Sequence, residues 1–219
     1  MIETDARRMQ KADRIDHRMN QRDERQRAKA ARALALWDSS PAPGVHPWLE
    51  SEGVAAHGLR QRDNRLLVPM RDAAGELWNL QFIGPSGGLR MLYGARVFGL
   101  FHLIDGQDFG KAYTADTLGE LFATWNPLTV VNIAEDYASA ARVHAATGQP
   151  VAVAFELHNL RPVALALRSE YRRARLVIWL PEPPQGARSA SGNHRGALTH
   201  AEAAAAAVGG SVAALWGRP

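Results

Sequence analysis

The sequence predicts an α/β fold in which a parallel sheet flanked by helices is preceded by a small antiparallel β module and a long basic N-terminal helix. Uniformly apolar stretches alternate with helical ones in the C-terminal half, which is typical of strands buried on both faces of a parallel sheet. Two β-prone runs near residue 70 are joined by a turn sequence. No glycine or proline precedes Pro41, which favours one long helix at the start.

Composition excludes several classes of protein. Of the 219 residues, 46% are hydrophobic and 22% are charged, as in soluble globular domains, and the length allows one substantial core or two small ones. Cysteine is absent, which excludes disulfides, thiolate zinc sites and cysteine nucleophiles. No apolar segment approaches the roughly 18 residues of a membrane helix, and the N-terminus is charged from Glu3 onward. We expect a cytoplasmic protein that does not enter a membrane.

The first predicted domain, residues 1–38, is a basic helix. Residues 1–32 contain ten bases and six acids, an excess that equals the formal net charge of +4 of the whole chain. Such clustering favours polyanions, nucleic acid above all. Interleaved acids and bases at this spacing also stabilise a solvated helix, so that alternative stays open. The bases predicted to contact nucleic acid are Arg7, Arg8, Lys11, Arg14, Arg18, Arg22 and Arg25, together with Arg195 in a later loop.

Apolar residues on this helix are sparse until its last two turns, which contain Ala33, Leu36 and Trp37. We expect those turns alone to dock on a core. The prolines and glycine of the stretch 39–44 then end the helix.

The second predicted domain, residues 39–125, is a small α+β module. Pro47 opens a short helical turn, and strands at 65–69 and 77–83 form a hairpin around a turn at 72–75. A further hairpin is predicted from 89–93 and 98–103, with Gly94 and Gly99 in turns. A short helix is expected at 116–124.

The third predicted domain, residues 126–219, is the α/β unit. Its strands are predicted at 128–134, 150–155 and 175–180, with an edge strand at 211–216. A helix at 137–147 ends at Gly148, and a second at 160–171 has Asn159 as its cap and Pro162 in its first turn. A loop at 181–196 precedes a last helix at 197–207.

Ligands of open parallel sheets gather at the carboxyl ends of the strands. Glu135 and Asp136 follow the first of these strands, and Glu182 follows the third. We therefore expect the chemistry of the chain at this edge. The loop at 189–196 could cradle a phosphate with Arg195, or be a plain polar connector.

The residues around Glu135 resemble a known family. The stretches 133–141 (IAEDYASAA) and 145–155 (AATGQPVAVAF) are similar to the Toprim domain of primase-like proteins of plasmids and phages. The segments 46–49, 67–72 and 79–83 are similar to the region that precedes Toprim in those proteins. The resemblance covers about residues 30 to 216 and implies a Toprim-like sheet for the third domain.

The same resemblance implies a degenerate metal site. In the family, the glutamate that Glu135 matches is a general acid or base or a metal ligand, and an Asp-x-Asp pair after the third strand binds magnesium. Here that position reads Pro181-Glu182-Pro183, and the aspartate pair is missing. Asp136 replaces a family glycine, where it could crowd the turn or form a rebuilt site with Glu135 and Glu182. Magnesium prefers octahedral oxygen ligation, so these changes argue against its retention.

Three functions follow from these observations. The resemblance favours a non-catalytic Toprim-like accessory protein of a plasmid or phage, without a cofactor. It would bind nucleic acid or a replication or conjugation protein, and could interfere with plasmid transfer or replication. The first alternative is a metal-dependent primase-like or nuclease-like enzyme that uses Mg²⁺ at the rebuilt site. The second is a purely protein-binding module.

Overall fold

The computed structural model describes residues 2–104, 130–180 and 192–214, with side chains for 17–104, 130–180 and 195–214. The helices are α1 (Ile2–Asp38), α2 (Pro47–Glu52), α3 (Tyr137–Thr147), α4 (Leu160–Glu170) and α5 (Gly192–Val208), with a 3-10 turn at Leu157–Asn159. The strands are β1 (Arg60–Arg62), β2 (Arg65–Arg71), β3 (Leu77–Ile83), β4 (Leu89–Met91), β5 (His102–Ile104), β6 (Val130–Ala134), β7 (Val151–Val153), β8 (Arg175–Leu180) and β9 (Ser211–Ala214).

Helix α1 docks on the first sheet through its C-terminal part. Ala33 and Trp37 are buried in a cluster with Leu67 and Leu80, which confirms that the last turns carry the packing. Contact begins earlier than predicted, because the Gln26 amide donates to the Gly94 carbonyl at 3.0 Å. Every residue from 17 to 25 is exposed. The arrangement leaves a basic helix segment in front of the sheet.

The first sheet is an antiparallel module with strand order β1-β2-β3-β4. The predicted hairpin is confirmed, since β2 pairs with β3 from Leu66↔Ile83 onward. Asp72 organises its turn: one carboxylate oxygen accepts from the Ala74 and Glu76 amides and the other from the Trp78 indole at 2.7 Å. The Asp72 side chain thus stabilises the turn between β2 and β3.

The second predicted hairpin is wrong. β4 pairs with β3, whereas β5 leaves the module and pairs antiparallel with β7, with His102↔Val153 in register. β5, which directly follows the antiparallel module in the sequence, is therefore part of the second sheet. The helix predicted at 116–124 lies outside the described residues.

The second sheet has strand order β5-β7-β6-β8-β9, and β6, β7, β8 and β9 run parallel. The parallel sheet flanked by helices is thereby confirmed. Helix α3 packs with the module on one face, while α4 and α5 cover the other. Burial on both faces explains why these strands are uniformly apolar.

Two local predictions need correction. Asn159 precedes α4, but its side chain makes no capping bond and instead reaches the module. Helix α5 begins at Gly192, so Arg195 lies in its first turn and not in a loop.

Across the described ranges, no helix combines the length and apolar character needed to cross a membrane.

Candidate functional site

The candidate site lies at the carboxyl edge of the parallel strands. From β6 the chain crosses through α3 to β7 on one side, and β8 then pairs with the other side of β6. β7 follows β6 along the chain on one side and β9 follows β8 on the other, so the switch in strand order lies between β6 and β8, which is where open α/β sheets bind ligands. Glu135 directly follows β6 and therefore stands at this switch point.

Glu135 is a carboxyl group in an environment that disfavours its charge. Burial raises its pKa to about 7, and the negative charges of Asp136 and then Glu156 add to the effect. Near neutral pH, the protonated and the ionised forms of Glu135 are consequently both populated. A carboxyl group of this kind can either donate or accept a proton.

The Asp136 side chain caps the helix that begins at the site. It is the N-cap of α3, and its side chain accepts from the Ser139 amide at 2.8 Å and the Ser139 hydroxyl at 2.6 Å, one bond to each oxygen. Its φ of −114° is ordinary extended backbone, so replacing the family glycine causes no crowding. The aspartate is accounted for as a helix cap.

Glu156 is a site residue that the sequence analysis missed. It follows β7 after Phe155, whose φ of +71° turns the chain sharply, and its carboxylate lies 2.7 Å from His158 Nε2. The signal was available, because the rule that selected Glu135 and Glu182 applies equally to the end of the second strand. The edge therefore carries two nearby carboxylates on adjacent strands.

The described residues form no cluster of three metal ligands. Within them, no three histidine, aspartate or glutamate side chains converge on a point that a metal could occupy. Asp136 already bonds Ser139 through both of its carboxylate oxygens. Protein magnesium sites usually combine one or two carboxylates with waters and substrate phosphates. Glu182 lies outside the described residues, so the rebuilt site stays a prediction.

Tyr137 ties the site to the antiparallel module. Its hydroxyl accepts from the His57 amide and donates to the Ala55 carbonyl, and its ring packs against Trp48 and His102. His102 is buried, which lowers its pKa to about 4, and its Nε2 is 2.8 Å from the His57 carbonyl oxygen. A neutral, packed aromatic cluster thus holds the start of α3 beside Glu135.

The predicted nucleic-acid contacts fall in two places. Arg18, Arg22 and Arg25 are exposed on α1, and Arg195 is exposed at the start of α5. The remaining four predicted bases are helical, but their side chains lie outside the described residues; they are Arg7, Arg8, Lys11 and Arg14.

Comparison with known proteins identifies primase relatives. The chain is 30% identical over 203 residues to a DNA primase TraC of Escherichia coli, covering 91% of the chain and 13% of the relative. A second DNA primase TraC of Escherichia coli is 30% identical over 192 residues, covering 85% of the chain and 16% of that relative. The chain thus spans about a seventh of these proteins. It matches no protein-family model.

The fold is similar to that of a solved primase fragment. The primase fragment of the bacteriophage T7 primase-helicase protein superposes with a TM-score of 0.51 at 11% identity, covering 81% of this chain and 67% of the fragment. At that identity the likeness concerns the fold alone. The chain is accordingly primase-like in sequence, and similar in fold to a primase fragment.

Proposed function

We propose that this chain is a primase-like nucleic-acid-binding protein of a mobile element that works without metal catalysis. One observation carries the proposal: the exposed face of α1 is basic and stands in front of a folded body whose relatives are DNA primases. Between residues 17 and 38, bases outnumber acids by six to three. The mobile-element setting rests on the resemblance of residues 133–155 to plasmid and phage proteins.

The edge of the parallel sheet supports a binding role over a catalytic one. Phosphoryl transfer relies on metal ions held by full carboxylate charges. Asp136 caps α3, and both of its carboxylate oxygens bond Ser139. In the sequence, prolines stand on both sides of Glu182, where the family has its aspartate pair. These features favour a protein that uses this fold to bind nucleic acid and not to catalyse phosphoryl transfer.

The test is the salt dependence of DNA binding. Fluorescence anisotropy would follow labelled single- and double-stranded DNA with the full chain and two double variants. Arg22→Gln with Arg25→Gln removes charge from α1, and Arg172→Gln with Arg173→Gln removes the same charge from the exposed loop before β8. Each phosphate contact contributes a slope of roughly 0.7 to 0.9 in a plot of log K against log salt.

We expect the α1 variant to lower that slope by up to about 2 and to weaken binding at low salt. The Arg172 and Arg173 variant should match the wild type. Equal loss in both variants would mean that net charge, and not α1, drives binding. A wild type that binds no nucleic acid at any salt concentration would contradict the proposal and favour the protein-binding module.

A second candidate function is an enzyme, and one observation favours it. A pKa near 7 suits a general acid or base at neutral pH, and Glu135 has one. Calorimetric titration of Mg²⁺ and Mn²⁺ into wild type and Glu135→Gln, with primer synthesis and strand cleavage measured in parallel, decides between the two. Activity that Glu135→Gln abolishes supports the enzyme. Activity that survives the substitution removes Glu135 from the mechanism.

A further inference from the structure

A groove of about 610 Å³ separates α1 from the turn at residues 94–98. One wall is a single face of α1, formed at helical spacing by Met19, Arg22, Asp23 and Gln26. The opposite wall contains Trp78 of β3 and Phe98. The groove opens where α1 leaves the sheet, just beyond the hydrogen bond between Gln26 and Gly94.

Large apolar side chains are exposed at this groove. Met19 is 58% exposed and Phe98 is 60% exposed, and both line it. Tyr93, which is 94% exposed, directly precedes the lining residue Gly94. Burying apolar side chains of this size is favourable, so a group of them left in water marks a binding surface.

Arginines flank these apolar side chains on both walls. Arg22 is exposed on α1, and the Arg96 guanidinium lies 5.1 Å from the centre of the Trp78 ring, with its side chain 39% exposed. Asp72 holds the Trp78 indole and lies 3.8 Å from Arg96, which fixes the wall in place. Aromatic faces beside fixed cations are the features that bind single strands, whose bases stack while their phosphates pair with the cations.

One lining residue of the groove contacts the carboxyl edge of the parallel sheet. The Phe98 ring centre is 5.3 Å from that of His158, and His158 Nε2 is 2.7 Å from the Glu156 carboxylate. Glu156 in turn acts on Glu135 through its charge. Phe98 therefore connects a wall of the groove to the carboxylates at this edge.

We propose that this groove binds single-stranded nucleic acid, with bases stacked on Phe98 and Tyr93 and phosphates paired with Arg22 and Arg96. The inference rests on the proposed nucleic-acid binding and assigns it a place. A duplex fits this surface poorly, because its base faces are covered by stacking. A protein segment would use the apolar wall but has no need of cations on both sides.

The experiment compares variants of the full chain by fluorescence anisotropy. The probes are labelled oligothymidylate and oligouridylate of about 12 nucleotides, within the roughly 4 to 16 that one binding module occupies, and a duplex of the same length. The variants are Phe98→Ala, Tyr93→Ala and Arg22→Gln. The matched control is Leu165→Ala, which removes a side chain 46% exposed on α4.

Phe98→Ala and Tyr93→Ala should each weaken single-strand binding by roughly 5- to 100-fold and leave duplex binding nearly unchanged. Arg22→Gln should reduce the salt dependence, and Leu165→Ala should stay within about twofold of wild type. The thymidylate and uridylate arms report whether the groove distinguishes DNA from RNA. If Phe98→Ala failed to fold by circular dichroism, Tyr93→Ala and Arg22→Gln, both at exposed positions, would decide.

Two failures are distinguishable. Single-strand binding by the wild type that all three groove variants retain would overturn the groove and leave the proposed function standing. Absence of binding by the wild type to every probe would overturn both. If the groove variants lost the same affinity for the duplex as for the single strands, the groove proposal would also be overturned, since base stacking would then play no part in binding.

Discussion

The Tyr137 hydroxyl oxygen lies 2.6 Å from the His57 backbone nitrogen and accepts its hydrogen. The same hydroxyl donates to the Ala55 carbonyl at 2.9 Å, so one side chain of α3 holds the loop that leads into β1. Tyr137 stands two residues after Glu135. The position of the candidate site therefore depends on a contact with the antiparallel module.

Tyr137→Phe should destabilise the protein by about 1 to 2 kcal/mol. The substitution keeps the buried ring but leaves the half-buried His57 amide without its acceptor, while the exposed Ala55 carbonyl can bond water. Urea unfolding followed by circular dichroism measures the change. Tyr93→Phe, at a side chain 94% exposed, is the control and should have no effect. Equal stability of the two variants would refute a structural role for the Tyr137 hydroxyl.

Replacing Glu135 with glutamine should change how stability depends on pH. Glu135 has a pKa of about 7 in the folded protein against an ordinary 4.5, so the folded state holds its proton more tightly than the unfolded state. Stability from this group is full below about pH 4.5 and is lost as pH rises to about 7. Relative to Glu135→Gln, wild type should lose on the order of 1 to 3 kcal/mol across that window.

Urea unfolding at pH 5 and pH 8 checks this difference. Other groups that titrate in the window, among them His57, whose pKa is lowered by burial and by His144, are common to both proteins and cancel in the comparison. Glu202→Gln, at an exposed position on α5, serves as control and should follow wild type. A wild type and Glu135→Gln with parallel pH profiles would contradict a raised pKa at Glu135.

Neighbouring carboxylates should set the pKa of Glu135 in a definite order. Asp136→Asn removes the larger of the two charge effects and Glu156→Gln the smaller, so both should lower the pKa of Glu135, the first more than the second. Asparagine also caps helices well, so the first variant keeps α3 intact. Titration of the Glu135 carboxyl carbon by NMR measures each shift. The opposite order would mean that the charge of Glu156 raises the pKa of Glu135 more than the charge of Asp136 does.

Much of the fold could be predicted because its signals are local. Gly148 adopts a φ of +66° at the end of α3, as a glycine after an alanine-rich helix indicates. The apolar runs became parallel strands because burial on both faces selects uniform composition. Asp136 could also have been recognised as a cap, since an aspartate directly before a helix favours that role.

The errors arose where a distant partner prevailed over a local preference. β5 is three residues long and joins β7, about 50 residues away, through pairing that turn chemistry cannot reveal. Glycines at 94 and 99 suggested a hairpin because both do adopt positive φ, but they serve turns that lead to the other sheet. The groove between α1 and Phe98 was equally hidden, since its walls are far apart in the chain.

Asn159 shows the same competition and leads to the last prediction. Its side chain accepts from the Gly99 amide at 2.8 Å and donates to the Leu100 and Ala154 carbonyls, at 3.0 and 2.7 Å. The residue is fully buried. These three bonds satisfy backbone groups of the module and of the parallel sheet together, which outweighs a single capping bond.

Asn159→Asp should therefore destabilise the protein strongly and in a pH-dependent way. A carboxylate of the same shape cannot donate, so it would face two carbonyl oxygens with its charge buried, and a cost of about 2 to 5 kcal/mol at pH 8 is expected. Protonation restores one donor, so part of the loss should return at pH 5. Urea unfolding at both pH values measures it, with Asn64→Asp in an exposed turn as the matched control. If Asn159→Asp were as stable as Asn64→Asp at pH 8, the Asn159 bonds would not be what joins the two sheets.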